Sequence, residues 1–277
     1  MPHDTVTLNN GVRMPRTGFG VSESRDAEAT VTRALAAGYR SIDTAAVYEN
    51  EQGVGAAIAA SGIPRDELFV TTKVWNVGRG RDDALRAAER SLDRLGLGHV
   101  DLYLVHWPNP EWDHCLRTWN AMAELLDDGR ARAVGVSNFR ASHLRRVLSL
   151  GGPTPALNQV ELHPHLQQHG LRALHHAHGI VTGAWSPLGR GAVLDDPVII
   201  GIAARLGRTP AQVVLAWHRQ QGTVAVPKSD AAERIAGNLA AADLELSRGD
   251  LRAIDGRHRA GGAGRIGPVA DEVPSAA

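Results

Sequence analysis

The sequence lacks several features that define other classes of protein. Its single cysteine, Cys115, excludes an intramolecular disulfide, which fits a reducing compartment. Thirty basic residues balance thirty acidic ones, so the net charge provides no attraction to nucleic acid or to a membrane surface. No apolar run approaches the ~18 residues of a membrane-spanning helix, and the first residues lack the apolar core of a signal peptide. We therefore expect a soluble cytoplasmic protein.

What the chain does contain is a regular alternation of strand-like and helix-like segments. Asn9-Asn10-Gly11 predicts a hairpin within residues 1–16, because Asn-Gly is a strong turn signal. Eight strand-like segments follow, and helices separate them without a long linker. They are 17–20, 40–43, 68–73, 101–106, 131–137, 156–161, 180–186 and 223–227. The alternation favours one (β/α)8 TIM barrel over residues 1–277 rather than a doubly wound sheet.

The predicted helices carry start and stop signals. Asp26 can cap a helix that ends at Gly38. Asp230 and Glu233 have the spacing of a capping box, which predicts a helix beginning near Asp230. The last part of the chain, 258–277, is expected to be a tail, and its glycine-rich residues 261–264 are typical of a mobile end.

Polar side chains stand where three successive predicted strands end. These are Asp43, Lys73 and His106, and Tyr48 follows Asp43 closely. The C-terminal ends of barrel strands converge on one mouth, so we expect the four side chains to meet. Each alone has an ordinary explanation: a turn former, a surface lysine, a hydrogen-bonded histidine or a packed aromatic. Their joint placement favours a catalytic site.

The four residue types suit one kind of chemistry. We expect the Lys73 ammonium to lower the pKa of the Tyr48 phenol. Asp43 would keep Lys73 charged, and His106 would orient a substrate oxygen. A phenol of lowered pKa can protonate an alkoxide as it forms. That suits hydride addition to an aldehyde or ketone, with the hydride supplied by a cofactor.

These residues and their neighbours closely resemble the aldo-keto reductase family over nearly the whole chain. The matching segments are Ile42-Asp43-Thr44-Ala45, Tyr48-Glu49-Asn50-Glu51, His106-Trp107-Pro108, Gly135-Val136-Ser137-Asn138-Phe139, Asn158-Gln159-Val160-Glu161-Leu162-His163-Pro164 and Val226-Pro227-Lys228-Ser229. The resemblance implies an NADPH-dependent carbonyl reductase on a barrel, with Tyr48 as the general acid. Asp43 and Lys73 would tune Tyr48, and His106 would orient the carbonyl. The chain is most similar to the bacterial branch that includes the diketogluconate reductases.

The resemblance also implies the residues that bind NADPH/NADP+. Those expected at the nicotinamide and the pyrophosphate are Ser137, Asn138, Gln159, Trp185, Ser186, Leu188 and Gly189. Those expected at the adenosine end are Lys228, Ser229, Arg234 and Asn238. Cationic groups beside a hydroxyl at a helix start suit a ribose phosphate, which favours NADP over NAD. Four residues near strand ends are expected to wall the substrate pocket: Phe19, Val21, Trp75 and Trp107.

Two other functions fit parts of the pattern. A nicotinamide-binding regulatory module on the same fold would bind NADPH with little turnover. A metal-dependent hydrolase is suggested by thirteen histidines, but they form no convincing ligand set, and we expect no metal. We expect a monomer that acts on a small carbonyl compound.

Overall fold

The structure, a computed structural model, describes residues 4–75, 80–108 and 112–269. An antiparallel hairpin, β1 (Thr5–Thr7) and β2 (Arg13–Pro15), comes first. Eight parallel strands then form a second sheet in which chain neighbours pair. They are β3 (Phe19–Gly20), β4 (Ser41–Asp43), β5 (Phe69–Val74), β6 (Val100–Val105), β7 (Ala131–Ser137), β8 (Leu157–Glu161), β9 (Val181–Trp185) and β10 (Val224–Val226).

The first and last strands of this sheet meet, which closes it into a barrel. The Gly18 amide donates to the Ala225 carbonyl at 2.9 Å, and the Ala225 amide donates to the Arg16 carbonyl at 2.9 Å. Two residues further along both strands, the Gly20 amide donates to the Pro227 carbonyl at 3.0 Å. This arrangement confirms the predicted eight-stranded barrel and its N-terminal hairpin.

The α-helices of the described residues connect and surround the strands. They are α1 (Ala27–Ala37), α2 (Glu51–Ala60), α3 (Arg81–Leu95), α4 (Trp112–Asp127), α5 (Ala141–Leu148), α6 (His169–Ala177), α7 (Pro197–Leu206), α8 (Pro210–Gln220), α9 (Ala232–Leu239) and α10 (Arg248–Asp255). No single helix among them is long and apolar enough to cross a membrane; α7 and α8 reach that composition only together, and the chain bends by 95° between them.

The hairpin packs against the apolar interior of the barrel. Leu8 and Met14 are buried in one cluster with Leu102, Leu157 and Val224, which come from barrel strands. On the other face, side chains of β3 to β7 pack against the helices in a separate, larger cluster, and Val160 of β8 and Ala184 of β9 pack in another with residues of α7 and α8. Both faces of the sheet are therefore apolar, and the hydrogen-bonding groups collect at the ends of the strands.

The two helix-start predictions have different outcomes. The Asp26 carboxylate accepts a hydrogen bond from the Ala29 amide at 2.9 Å, and Gly38 ends α1 at a φ of 108°, as predicted. The predicted helix near Asp230 is present, but its capping box is not. Helix α9 begins two residues later, after Ala231, without a side-chain cap. The Asp230 carboxylate instead accepts from Lys228 Nζ at 2.6 Å, so it is not available to the helix amides.

The prediction of a mobile glycine-rich end is also wrong within the described residues. Gly264 is buried, and a Cβ at this position would lie 2.1 Å from the His165 carbonyl oxygen. The next residues donate two backbone hydrogen bonds to Glu161 at the end of β8. Glycine here permits close packing of one backbone segment on another.

Two glycines within helices test how closely α2 packs against α3. A Cβ on Gly55 of α2 would lie 2.3 Å from the Leu95 carbonyl oxygen at the end of α3, whereas nothing lies within 4 Å of one on Gly201 of α7. We expect Gly55→Ala to lower the free energy of unfolding by about 1–3 kcal/mol, because backbone must shift. Gly201→Ala should raise it by about 0.5–1 kcal/mol. Urea denaturation measures both, and equal effects would contradict the close contact of α2 with α3.

Candidate active site

A cavity of about 630 Å³ opens at the C-terminal end of the barrel. Asp43 is the last residue of β4, Lys73 is the next to last of β5, and His106 directly follows β6. Asp43, Tyr48 and His106 line the cavity, and Lys73 lies fully buried behind them. The structure thus brings together the four side chains that the sequence placed at strand ends.

A tight loop holds Tyr48 over the end of β4. The segment Ala46–Tyr48 forms one turn of 3₁₀ helix. The Thr44 hydroxyl donates to Asn50 Oδ1 at 2.8 Å, and Asn50 Nδ2 donates to the Val21 carbonyl at 2.9 Å. Asn50 directly precedes helix α2, and its side chain connects the loops that follow β3 and β4. Tyr48 is therefore held from both sides.

The buried ammonium of Lys73 is matched by oxygen acceptors. Its Nζ donates to an Asp43 carboxylate oxygen, and also to the Thr44 carbonyl at 2.9 Å. It lies 5.4 Å from the centre of the Tyr48 ring. Burial favours the neutral amine, but the interactions with Asp43 and Tyr48 together outweigh it, so the pKa of Lys73 is raised above its ordinary value. A positive charge is held beside the phenol.

The net pKa shift of the Tyr48 phenol is opposite to the one predicted from the sequence. Burial raises the pKa of Tyr48, and the opposing effect of the Lys73 ammonium does not cancel it. The predicted direction of the Lys73 effect was correct, but the net shift is upward because the phenol leaves water. Tyr48 is consequently protonated near neutral pH, and Lys73 is in place to stabilise the phenolate once the proton has left.

His106 lies beside Tyr48 as a neutral imidazole. Its ring centre is 5.7 Å from that of Tyr48 and 5.1 Å from Trp75, with an edge-on geometry in both cases. Burial lowers the pKa of His106 well below its ordinary value, and the Lys73 charge acts in the same direction. A neutral imidazole carries one N–H, which can donate to an oxygen in the cavity.

A chain of hydrogen bonds connects the four residues to the next three strands. Gln159 Nε2 donates to the second carboxylate oxygen of Asp43 at 2.8 Å, and the Ser137 hydroxyl donates to the Gln159 carbonyl at 2.8 Å. Asn138 Nδ2 donates to the His106 carbonyl at 3.0 Å. Trp185 Nε1 donates to Asn138 Oδ1 at 2.7 Å. These side chains all line the cavity, so they are positioned for a bound group.

The other residues expected to bind the cofactor fall into two groups. Ser186, Leu188 and Lys228 line the cavity. Gly189, Ser229, Arg234 and Asn238 do not line it, but they lie in the adjoining segments. Arg234 Nε donates to the Ser229 hydroxyl at 3.0 Å, immediately after Lys228. A cationic and hydroxylic cluster therefore stands at one end of the cavity.

Two of the four residues predicted to wall the substrate pocket line the cavity, and two do not. Trp75 and Trp107 line the cavity, whereas Phe19 and Val21 are buried on the other face of the strand end. Phe19 packs edge-on against Tyr39, with ring centres 5.2 Å apart. Successive residues of a strand point to opposite faces, so Gly20 and Ser22 line the cavity in their place.

Several residues of the cavity wall escaped the sequence analysis. Glu23 and Arg190 come from two different loops and approach to 3.5 Å, and Pro268 comes from the C-terminal segment. All three lie in irregular loops, where no periodicity marks which face a side chain takes. Ser22 alone had a signal, because it continues the alternation of Gly20.

No convergent set of three metal-binding side chains exists in the described residues. Histidines 163 and 165 are instead paired with Glu161 and Asp196 at 3.1 Å each. The site's polar groups are therefore those of the Tyr48 cluster and its amide neighbours.

Comparison with known proteins assigns this constellation to a family. Residues 8–258 match the Aldo/keto reductase family. The chain belongs to that family. An aldo-keto reductase of Mycolicibacterium smegmatis is 50% identical over 251 residues, which cover 90% of this chain and 91% of the relative. Glyoxal reductase of Bacillus subtilis is 46% identical over 273 residues, with 98% and 97% covered. The resemblance to the diketogluconate branch stays a prediction.

Solved structures agree with this aldo-keto reductase fold along almost its full length. A variant of Gox0644 in complex with NADPH superposes with a TM-score of 0.93 at 41% identity, covering 99% of both chains. An aldo-keto reductase of Bombyx mori in complex with NADP gives 0.89 at 34% identity, again covering 99% of both.

The neutral state of His106 leads to a testable expectation. Because burial and Lys73 depress its pKa, the imidazole should keep its neutral form as the pH falls through the ordinary histidine range near 6.5. NMR of ring nitrogens, assigned with a His106→Gln variant, should show no titration of His106 between about pH 5.5 and 7.5. A midpoint near 6.5 would contradict the desolvated environment.

Proposed function

We propose that this aldo-keto reductase reduces aldehydes and ketones with NADPH, and that Tyr48 is the general acid. The observation that carries the proposal is the group formed by Tyr48, Lys73, Asp43 and His106 at the open mouth of the barrel. The named relatives support it, since one is a glyoxal reductase. Small carbonyl compounds are the proposed substrate class.

The residues present fit a nicotinamide dinucleotide phosphate. Gln159, Asn138 and Ser137 line the cavity and carry amide and hydroxyl groups, which suits a carboxamide. Lys228, Arg234 and Ser229 offer two cations and a hydroxyl for a phosphate. When bound, the cofactor would supply a hydride to the carbonyl carbon. NADPH and NADP in the two solved relatives support the same assignment.

The proton is the part of the reaction that this chain's own residues provide. Tyr48 gives its hydroxyl proton to the carbonyl oxygen as negative charge develops there. The phenolate that remains is stabilised by the Lys73 ammonium, which Asp43 keeps charged and fixed. His106 donates a hydrogen bond to the same oxygen. The product is an alcohol, and solvent returns a proton to Tyr48.

Removing the Tyr48 hydroxyl tests this role. We expect Tyr48→Phe to lower kcat by a factor of about 10²–10⁴, the usual contribution of a general acid, while NADPH still binds. The loss of reduced-nicotinamide absorbance with glyoxal measures turnover, and nucleotide fluorescence measures binding. Tyr103→Phe makes the same substitution at a buried tyrosine that does not line the cavity, and it should retain full turnover.

The same measurements also distinguish a reductase from a regulatory module. Full activity of Tyr48→Phe would overturn the role of Tyr48. If the unaltered protein binds NADPH but reduces no compound in a panel of aldehydes, dicarbonyls and keto sugars, the regulatory module becomes the better proposal.

Arg234 provides a test of cofactor choice. We expect Arg234→Gln to raise the KM for NADPH about tenfold and to change that for NADH little, since only NADPH carries the added phosphate. Arg252→Gln removes the same charge from the exposed surface of α10 and should leave both values unchanged. If Arg234→Gln raised the KM for NADPH and the KM for NADH equally, Arg234 would not be a phosphate-binding residue.

A further inference from the structure

The C-terminal segment 264–268 is fastened to the barrel by one buried carboxylate. Glu161, the last residue of β8, is only 1% exposed. One of its oxygens accepts from the Ile266 amide at 2.7 Å, and the other accepts from the Gly267 amide at 2.9 Å. His163 Nε2 is a further partner at 3.1 Å. A carboxylate here holds two consecutive backbone amides from a distant part of the chain.

The segment also packs too closely for side chains at two positions. A Cβ on Gly267 would lie 2.3 Å from the outer edge of the Trp185 indole, and one on Gly264 would lie 2.1 Å from the His165 carbonyl. Pro268, the next residue, reaches the cavity wall. Trp185 packs with Trp75 and Trp107 in an apolar cluster on that wall. The fastened segment therefore completes the apolar side of the cavity.

We propose that Glu161 is a positioning residue: it is a latch that holds segment 264–268 against the outer edge of Trp185, so that Pro268 joins Trp75 and Trp107 in the apolar wall that receives the part of a substrate beyond its carbonyl group. The inference rests on the proposed carbonyl reduction and extends it to the choice of substrate. It favours carbonyl compounds with an aromatic or other apolar substituent. Glu161 itself does not line the cavity, so it acts through the segment.

The latch requires the ionised carboxylate. Two neighbouring N–H groups need two acceptor oxygens, which a carboxylate has and a carboxamide lacks. Burial disfavours the charge of Glu161, but hydrogen bonds from His163, Ile266 and Gly267 outweigh burial, and its pKa lies below the ordinary value. Glu161→Gln keeps the shape of the side chain and places an NH2 group against one of the donors. Glu161→Gln is therefore the substitution that tests the proposal most directly.

The kinetic test compares two dicarbonyls that differ by a phenyl group. With NADPH, Glu161→Gln should raise the KM for phenylglyoxal about tenfold, and it should leave the KM for glyoxal and both kcat values within about twofold, because only the phenyl group reaches the wall. An unchanged ratio of the two KM values would overturn the proposal. If the unaltered protein reduces neither compound, the proposed function fails instead, and that result is distinct.

Proteolysis tests the latch without turnover. Trypsin can cut after Arg265, directly before the two residues whose amides Glu161 binds, and the Arg265 guanidinium lies 3.6 Å from a Glu161 oxygen, so the same carboxylate holds the side chain that trypsin recognises. Loss of one hydrogen bond to a charged group should speed release of the peptide that begins at Ile266 by about tenfold in Glu161→Gln. Mass spectrometry follows that peptide. Cleavage at the rate of the unaltered protein would contradict the latch.

One control separates positioning from a general loss of stability. Glu51→Gln is the same substitution at a carboxylate that is equally buried, accepting from Arg94 Nε at 2.8 Å and lying outside the cavity wall. It should change neither the KM ratio nor the tryptic rate. A change of similar size in Glu51→Gln would overturn the proposal, because it would show a general loss of stability.

Discussion

A charged amine inside the barrel is the constraint from which the rest of the site follows. Lys73 has no access to water, so its charge persists only because Asp43 and the Thr44 carbonyl accept its hydrogens. Asp43 must then stay in place, and Gln159 holds its second oxygen. The same ammonium acts on both neighbours, favouring the phenolate of Tyr48 and the neutral imidazole of His106. Burial keeps Tyr48 protonated and His106 neutral, and the ammonium opposes the effect of burial on Tyr48 and reinforces it on His106.

The main outline of this arrangement could be predicted from the sequence for a physical reason. Parallel barrel strands alternate with helices at a regular spacing, and polar residues at strand ends stand out from apolar strand interiors. Asp43, Lys73 and His106 could therefore be placed at one mouth. Which face of the sheet a side chain takes at the end of a short strand is harder to predict. Phe19 and Val21 turned outward because β3 has two residues and its register comes from pairing with β4 and residue 225.

Other features depend on contacts that local patterns cannot show. The spacing of Asp230 and Glu233 suited a cap, but Lys228 lies two residues away and takes the carboxylate. The glycines of the last segment looked like a flexible end, yet Glu161, about a hundred residues earlier, binds the amides that follow them. The net pKa shift of Tyr48 likewise depends on how much water the folded loop excludes. Each is a property of distant residues brought together.

The hydrogen bonds between the first and last barrel strands have a consequence for folding during synthesis. The carbonyl of Arg16 and the amide of Gly18 pair with Ala225, so β3 lacks one neighbour until the ribosome has produced most of the chain. Seven strands emerge before that partner exists, and an open parallel sheet exposes unpaired backbone groups on both edges. The barrel therefore cannot close before residue 225 has left the ribosome, and the growing chain is most exposed to aggregation before that point.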